Sequence, residues 1–193
     1  MRVCDERKTS ETEVKVCWET DGFGTPDVDT GVPFFDHMLK AMAFHGGFDL
    51  RIKARGDVEI DAHHLAEDVG IVLGRVLSEG RPEHPARFGW AIVPMDEAAV
   101  MVSLDFAGRS YLAYRLDPPP RQFGDFHTEN AEDFLRALTH NAGMTLHVEQ
   151  TAGHNAHHIL EACFKSLGLA LRSAVAEHPG GASSTKGNLE RPR

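Results

Sequence analysis

Two stretches of the chain repeat the same histidines and glutamate. HHLAEDVGIVLGRVL at 63–77 and HHILEACFKSLGLAL at 157–171 lie ninety-four residues apart and share six identities in fifteen positions. The first histidine and the glutamate of each are four residues apart, so on a helix they project from one face and can serve one metal ion. The second histidine is turned roughly 100° further round the helix, which directs His64 and His158 toward a different ion. The pattern therefore predicts two sites built from His63, His64 and Glu67 and from His157, His158 and Glu161. Imidazole with carboxylate suits manganese, iron or zinc, and the absence of cysteine from the cluster argues against a thiolate-rich structural zinc. One such pair alone would read as a surface or capping feature. Duplication reverses that reading, because packing gives no reason to keep these three side chains in both halves while most neighbours change. His37 adds a further candidate ligand, although a lone histidine there could equally be a satisfied interior residue. Histidines 84, 127, 154 and 178 read as solvent-facing, and His147 as structural within a strand.

Groups suited to an anion are scattered. Arg87 in RFG, Arg109 in AGRSYL, and Ser184, Thr185 and Lys186 in SSTKG could chelate a phosphate through charge-assisted hydrogen bonds. Each alone reads as an ordinary surface group, and SSTKG lacks the spacing of a P-loop. The net charge of −9 opposes binding to nucleic acid or anionic lipid, so any phosphate is held locally. Hydrophobic residues at 41% and charged residues at 25% match soluble folds, and no apolar run could cross a bilayer. The opening MRVCDERKTSETEV has no signal or transit character, which predicts a cytoplasmic protein. Cys4, Cys17 and Cys163 are odd in number and lack C-x-x-C spacing, so reduced thiols are expected rather than a disulfide framework.

The elements that must position these groups also come in duplicate. DHMLKAMAFHGGFDLRI from Asp36 lies over EDFLRALTHNAGMTLHV from Glu132 with an offset of 96, and ETEVKV from Glu11 lies over EAAVMV from Glu97 with an offset of 86. TEVKVCWE, AVMVSLDF, FDLRIKARG and MTLHVEQTAG alternate as half-buried strands. Residues 35–45, 63–79, 130–141 and 157–176 carry apolar residues at three- and four-residue steps, as amphipathic helices do. An α+β fold is predicted, with a sheet and two helices on one of its faces in each half. The first repeat is expected at 1–90, the second at 91–180 and a polar tail at 181–193. DPPPRQFGDF at 117–126 reads as a proline-rich connection.

From RKTSETEV through TGVPFFDHML, HHLAEDVG, RFG, PMDEA, AGRSYL, GMTLHV and HHILEACFK to SSTKG, the chain resembles the imidazoleglycerol-phosphate dehydratase family over about residues 5–188. The resemblance implies a tandem duplication of a two-layer unit, each a four-stranded sheet with two helices, like domain 2 of ribosomal protein S5. It also implies a homo-oligomeric shell of twenty-four subunits with cubic symmetry and two manganese ions per subunit in sites between chains. Carried over, the family's metal ligands fall on His37, His63, His64, Glu67, His157, His158 and Glu161. Its remaining histidine ligand falls on Asp133, a departure in this sequence. Substrate contacts fall on Glu11, the segment from His37 to His45, Arg87, Arg109, Lys165 and Ser184 to Lys186, with Glu11 as the acid/base.

The reaction so implied removes water from D-erythro-imidazole glycerol phosphate and leaves imidazole acetol phosphate, a step of histidine biosynthesis. Metal ions on the ring nitrogens would ease loss of the hydroxyl from the adjoining carbon. A positioned carboxylate, Glu11, would take the proton from the next carbon and yield an enol that becomes the ketone. Two other classes stay open at this point. A binuclear metallohydrolase acting on a phosphorylated small molecule could use the same ligands to activate water. A non-enzymatic metal store would have no use for Arg87, Arg109 and Lys186.

Overall fold

The computed structural model describes residues 2–178. The first half runs β1 (Arg2–Lys8), β2 (Thr12–Glu19), β3 (Pro26–Asp29), α1 (Pro33–Gly46), β4 (Asp49–Gly56) and α2 (His63–Gly80). The second runs β5 (Phe88–Met95), β6 (Ala98–Asp105), β7 (Tyr111–Arg115), β8 (Gln122–Phe123), β9 (Phe126–His127), α3 (Asn130–Ala142), β10 (Thr145–Ala152) and α4 (Ala156–Val175). The strand orders are β1-β2-β4-β3 and β5-β6-β10-β7, the same topology twice, with the last strand of each order parallel to its neighbour. Each half is a four-stranded sheet with two helices, as the sequence predicts. The expected boundary after residue 90 falls inside β5, so the second sheet begins slightly earlier in the chain.

Alternation explains the packing. In β2, Thr12, Val14, Val16 and Trp18 turn inward while Glu13 and Lys15 face solvent, the period of a half-buried strand. The helices lie between the sheets. α2 packs on β1 and β2 and against α3, and α4 packs on β5 and β6 and against α1. One continuous apolar core thus joins both halves, from Val14, Phe35 and Leu73 to Val102, Phe134 and Leu167. The helix pairs meet backbone to backbone. A Cβ added at Gly168 of α4 would lie 2.1 Å from the Met42 carbonyl oxygen of α1, and one at its repeat counterpart Gly74 would lie 2.8 Å from the Leu138 carbonyl oxygen of α3. These approaches set how near α1 and α4, and α2 and α3, bring the residues they carry.

Two expectations need correction. Cys4 and Cys17 are joined in a disulfide rather than left as reduced thiols, because antiparallel pairing sets them directly opposite each other on β1 and β2. Cys163 is free and buried, and burial pushes its thiol up to about 12. The connection at 117–126 also includes structure of its own, since β8 and the start of β9 form a short hairpin that packs Phe123 and Phe126 against Phe34 and Phe126 against Phe35.

Candidate metal centre

Both H-H-x-x-E motifs begin a helix, and in both a short polar side chain two residues earlier fixes the first turn. Asn155 accepts a hydrogen bond from the His157 backbone N–H at 3.0 Å, and Asp61 accepts one from the His63 N–H at 2.7 Å. A side-chain oxygen there satisfies an amide that the helix itself leaves unpaired. Both first histidines therefore leave their helices at a defined angle.

Around α4 the donors converge. His157 Nε2 lies 3.0 Å and His37 Nε2 3.2 Å from the same oxygen, Glu161 Oε2, and the three ligand atoms all lie within 4.8 Å of one another. Separations near 3 Å are those left between neighbouring ligands in a shell of roughly 2.1 Å bonds, so this donor set fits a divalent ion. Glu161 Oε1 accepts from Lys165 Nζ at 2.7 Å. Burial opposes ionisation of Glu161, but hydrogen bonds from Lys165 and His37, the Lys165 charge and His157 outweigh it and hold the carboxyl down at about 2. Phe34 and Phe123 stack on each other at 4.0 Å and set their edges against the His157 ring, which fixes its plane.

At the repeat-related position only a pair of these groups meets. The repeat offsets map His157 onto His63, Glu161 onto Glu67 and His37 onto Asp133. His63 Nδ1 donates to Asp133 Oδ2 at 2.9 Å, across the α2–α3 contact that matches α4–α1. This hydrogen bond, offset in part by burial, raises the His63 pKa, with smaller contributions from the charges of Asp133 and Glu67. Glu67 is exposed one turn along and stands outside the tight cluster.

The remaining predicted residues lie elsewhere. His64 Nδ1 is 3.0 Å from Asp57 Oδ2 and 3.8 Å from Glu11 Oε2, and the Asp57 hydrogen bond raises its pKa. His158 Nδ1 donates to Glu97 Oε2 at 2.7 Å, a contact that, with the Asn155 backbone N–H, holds Glu97 at about 2. His45, half-buried in the last turn of α1, has a pKa lowered by burial and by the charge of Lys165. Arg87 is drawn into a bidentate ion pair with Asp105, at 2.5 and 2.9 Å. Arg109 is exposed before β7. Ser184, Thr185 and Lys186 lie outside the described residues. Asp57 and Glu97 escaped the sequence reading as parts of the site. The alignment of Glu97 with Glu11 was a usable signal for one, whereas Asp57 has no carboxylate counterpart in the second half.

A family model described as imidazoleglycerol-phosphate dehydratase matches residues 30–171. The imidazoleglycerol-phosphate dehydratase of Moorella thermoacetica is 52% identical over 188 residues, covering 95% of this chain and 96% of the relative. That of Caldanaerobacter subterraneus is 50% identical over 188 residues, covering 95% and 97%. Among solved structures, the Pyrococcus furiosus enzyme superposes with a TM-score of 0.86 at 40% identity, covering 96% of this chain and all of that one. The Staphylococcus aureus enzyme gives 0.82 at 36%, covering 92% and 100%.

Proposed function

Because the chain belongs to the imidazoleglycerol-phosphate dehydratase family, we propose that its two repeat-related clusters each hold one manganese ion and that Glu11 is the acid/base of the reaction. The protein is a hydro-lyase of histidine biosynthesis that dehydrates imidazole glycerol phosphate to imidazole acetol phosphate, and its family is metal-dependent. The metallohydrolase alternative finds no support in the comparisons. No helix among the described residues is long and apolar enough to cross a membrane.

The observation that carries this reading is the convergence of His37, His157 and Glu161 on one point, echoed by His63 and Asp133 at the equivalent point. When bound, the ions supply Lewis acidity at the imidazole nitrogens. The chain's own residues do the rest. Glu161 receives Lys165 on one oxygen and keeps the other for the ligand cluster. Glu11, at the entry to β2, has its carboxylate exposed and is free to move a proton at the carbon next to the leaving hydroxyl. Arg109 and the Ser184 to Lys186 segment are the groups that would hold the substrate phosphate, with Arg87 committed mainly to Asp105. His45 lies near Lys165 and Glu161 and belongs to the same substrate-facing group. Each cluster draws on both repeats, His37 of the first joining His157 and Glu161 of the second, and His63 of the first joining Asp133 of the second.

Assembly into a homo-oligomer, twenty-four copies by the family resemblance, is part of the same reading. His64 and His158 stand outside the clusters of their own chain, where a neighbour could use them. The outer face of the second sheet carries Phe88, Trp90 (71% exposed), Ile92 and Tyr111 in solvent. The equivalent face of the first sheet carries ion pairs such as Lys53 with Asp27 and Arg55 with Asp29. The same topology tolerates a charged outer face, so the apolar one is explained by a partner surface.

Asp133 gives the test. Metal analysis of the parent is expected to give two ions per chain. Asp133→Ala should leave one tightly held, while Asp133→His should restore two and shift the preference of the second toward zinc, since a carboxylate oxygen is the harder ligand. Identical metal content and affinity in all three proteins would make Asp133 a surface residue.

A further inference from the structure

The repeat aligns Glu11 with Glu97 and His64 with His158, yet the two pairs are built differently. In the second half Glu97 Oε2 accepts from His158 Nδ1 at 2.7 Å, and Glu97 Oε1 accepts from the Asn155 N–H at 2.9 Å and the His154 N–H at 3.4 Å. This glutamate is fully engaged. In the first half Asp57 Oδ2 takes the His64 Nδ1 hydrogen at 3.0 Å, and Glu11 Oε2 stands off at 3.8 Å. The Glu11 side chain makes no hydrogen bond among the described residues, and the cationic group within ion-pair distance of it is that imidazole. Asp57 falls over Thr151 or Gly153 by the two helix-side offsets, and the other carboxylate beside His158, Asp96, lies 3.8 Å from Nε2 rather than Nδ1, so Glu97 alone holds Nδ1 in the second half.

We infer that Asp57 and Glu97 are equivalent positioning residues, each fixing the second histidine of its motif through Nδ1, and that Asp57 frees Glu11 for proton transfer by taking over the role its counterpart Glu97 performs. A carboxylate can only accept, so each histidine, when neutral, contributes its hydrogen from Nδ1 and keeps the lone pair of Nε2 available to a ligand. Carboxylates that orient metal-binding imidazoles raise their basicity and pin the ring. The contrast also explains how a duplicated chain ends with one proton-transferring glutamate: the carboxylate was copied, but only the copy with an Asp57 beside its histidine is unoccupied. Asp57 is suited to this task because its other oxygen is buried and makes no hydrogen bond among the described residues, leaving His64 as its side-chain partner.

The inference rests on the metal reading proposed above, and the measurement separates the two. Manganese affinity is titrated on the intact protein by the electron paramagnetic resonance of free ion, for the parent, Asp57→Ala, Asp57→Asn, Glu97→Ala, Glu11→Gln and the Asp57→Ala, Glu11→Gln double variant. A parent that takes up no manganese overturns the metal reading itself and the inference with it. With a binding parent, Asp57→Ala and Glu97→Ala are each expected to weaken one class of site by about ten- to a hundredfold. Asp57→Asn, which keeps an acceptor oxygen and the shape of the side chain, should recover most of that loss. Glu11→Gln alone should leave affinity unchanged, yet in the Asp57→Ala background it should weaken binding further, because it removes the last carboxylate within reach of His64. Unchanged affinity in Asp57→Ala and Asp57→Asn, or a loss in Glu11→Gln as large as in Asp57→Ala, overturns the assignment while leaving the metal reading intact.

Discussion

Glu11→Gln is expected to lower turnover of imidazole glycerol phosphate by at least the roughly hundredfold typical of lost general acid/base catalysis, with metal content unchanged. The amide is nearly the same shape as the carboxylate but cannot take a proton. Glu11 is 54% exposed and stands 3.8 Å from His64, so removing its charge breaks no hydrogen bond that the fold depends on. Retention of metal follows because Asp57, not Glu11, holds His64. Steady-state kinetics beside metal analysis of the same preparation checks both halves of the statement. Near-normal turnover would remove Glu11 from the chemistry.

Gly168→Ala should be the most damaging small substitution among the contacts of helix with helix. Its added Cβ would sit 2.1 Å from the Met42 carbonyl oxygen, 3.0 Å from the Met42 carbonyl carbon and 3.1 Å from the Gly46 nitrogen, all backbone atoms that cannot rotate away. Alanine gains about 1 kcal/mol over glycine in helix propensity, but overpacking of a closed core costs about 1–3 kcal/mol and more where backbone must move. Steric cost wins. At 2–4 °C per kcal/mol for a chain of this size, a fall in Tm of roughly 5 °C or more is expected. The separation of α1 from α4 also draws His37 away from His157 and Glu161, so manganese should bind more weakly at that cluster. A Tm within 2 °C of the parent and unchanged affinity would mean that α1 and α4 are not in this contact.

The repeated histidines and glutamate were legible because their spacing matches the helix period, and the same period marked all four helices. β2, β4, β6 and β10 announced themselves by alternation. The outer strands did not. In RVCDERK of β1 only Val3 is buried, and in FGWAIVPM of β5 the largest side chains, Phe88, Trp90 and Ile92, face outward, so the alternation points the wrong way. The Cys4–Cys17 bridge depends on strand register, and register is set by pairing across the sheet rather than by composition. The ion pair of Arg87 with Asp105, eighteen residues on, is not legible either, because the two come together only when β5 and β6 pair. Asp57 was hidden for a related reason. Its partner His64 is seven residues away across the turn that leads from β4 into α2, a distance at which no periodicity reports contact.

The most direct measurement is of metal and turnover together. Protein stripped by a chelator is titrated with manganese while formation of imidazole acetol phosphate is followed at each step. The account predicts no turnover in the stripped protein and a rise to a plateau at two equivalents per chain. Full turnover without metal, or release of inorganic phosphate in place of the dehydrated ketone, would contradict it.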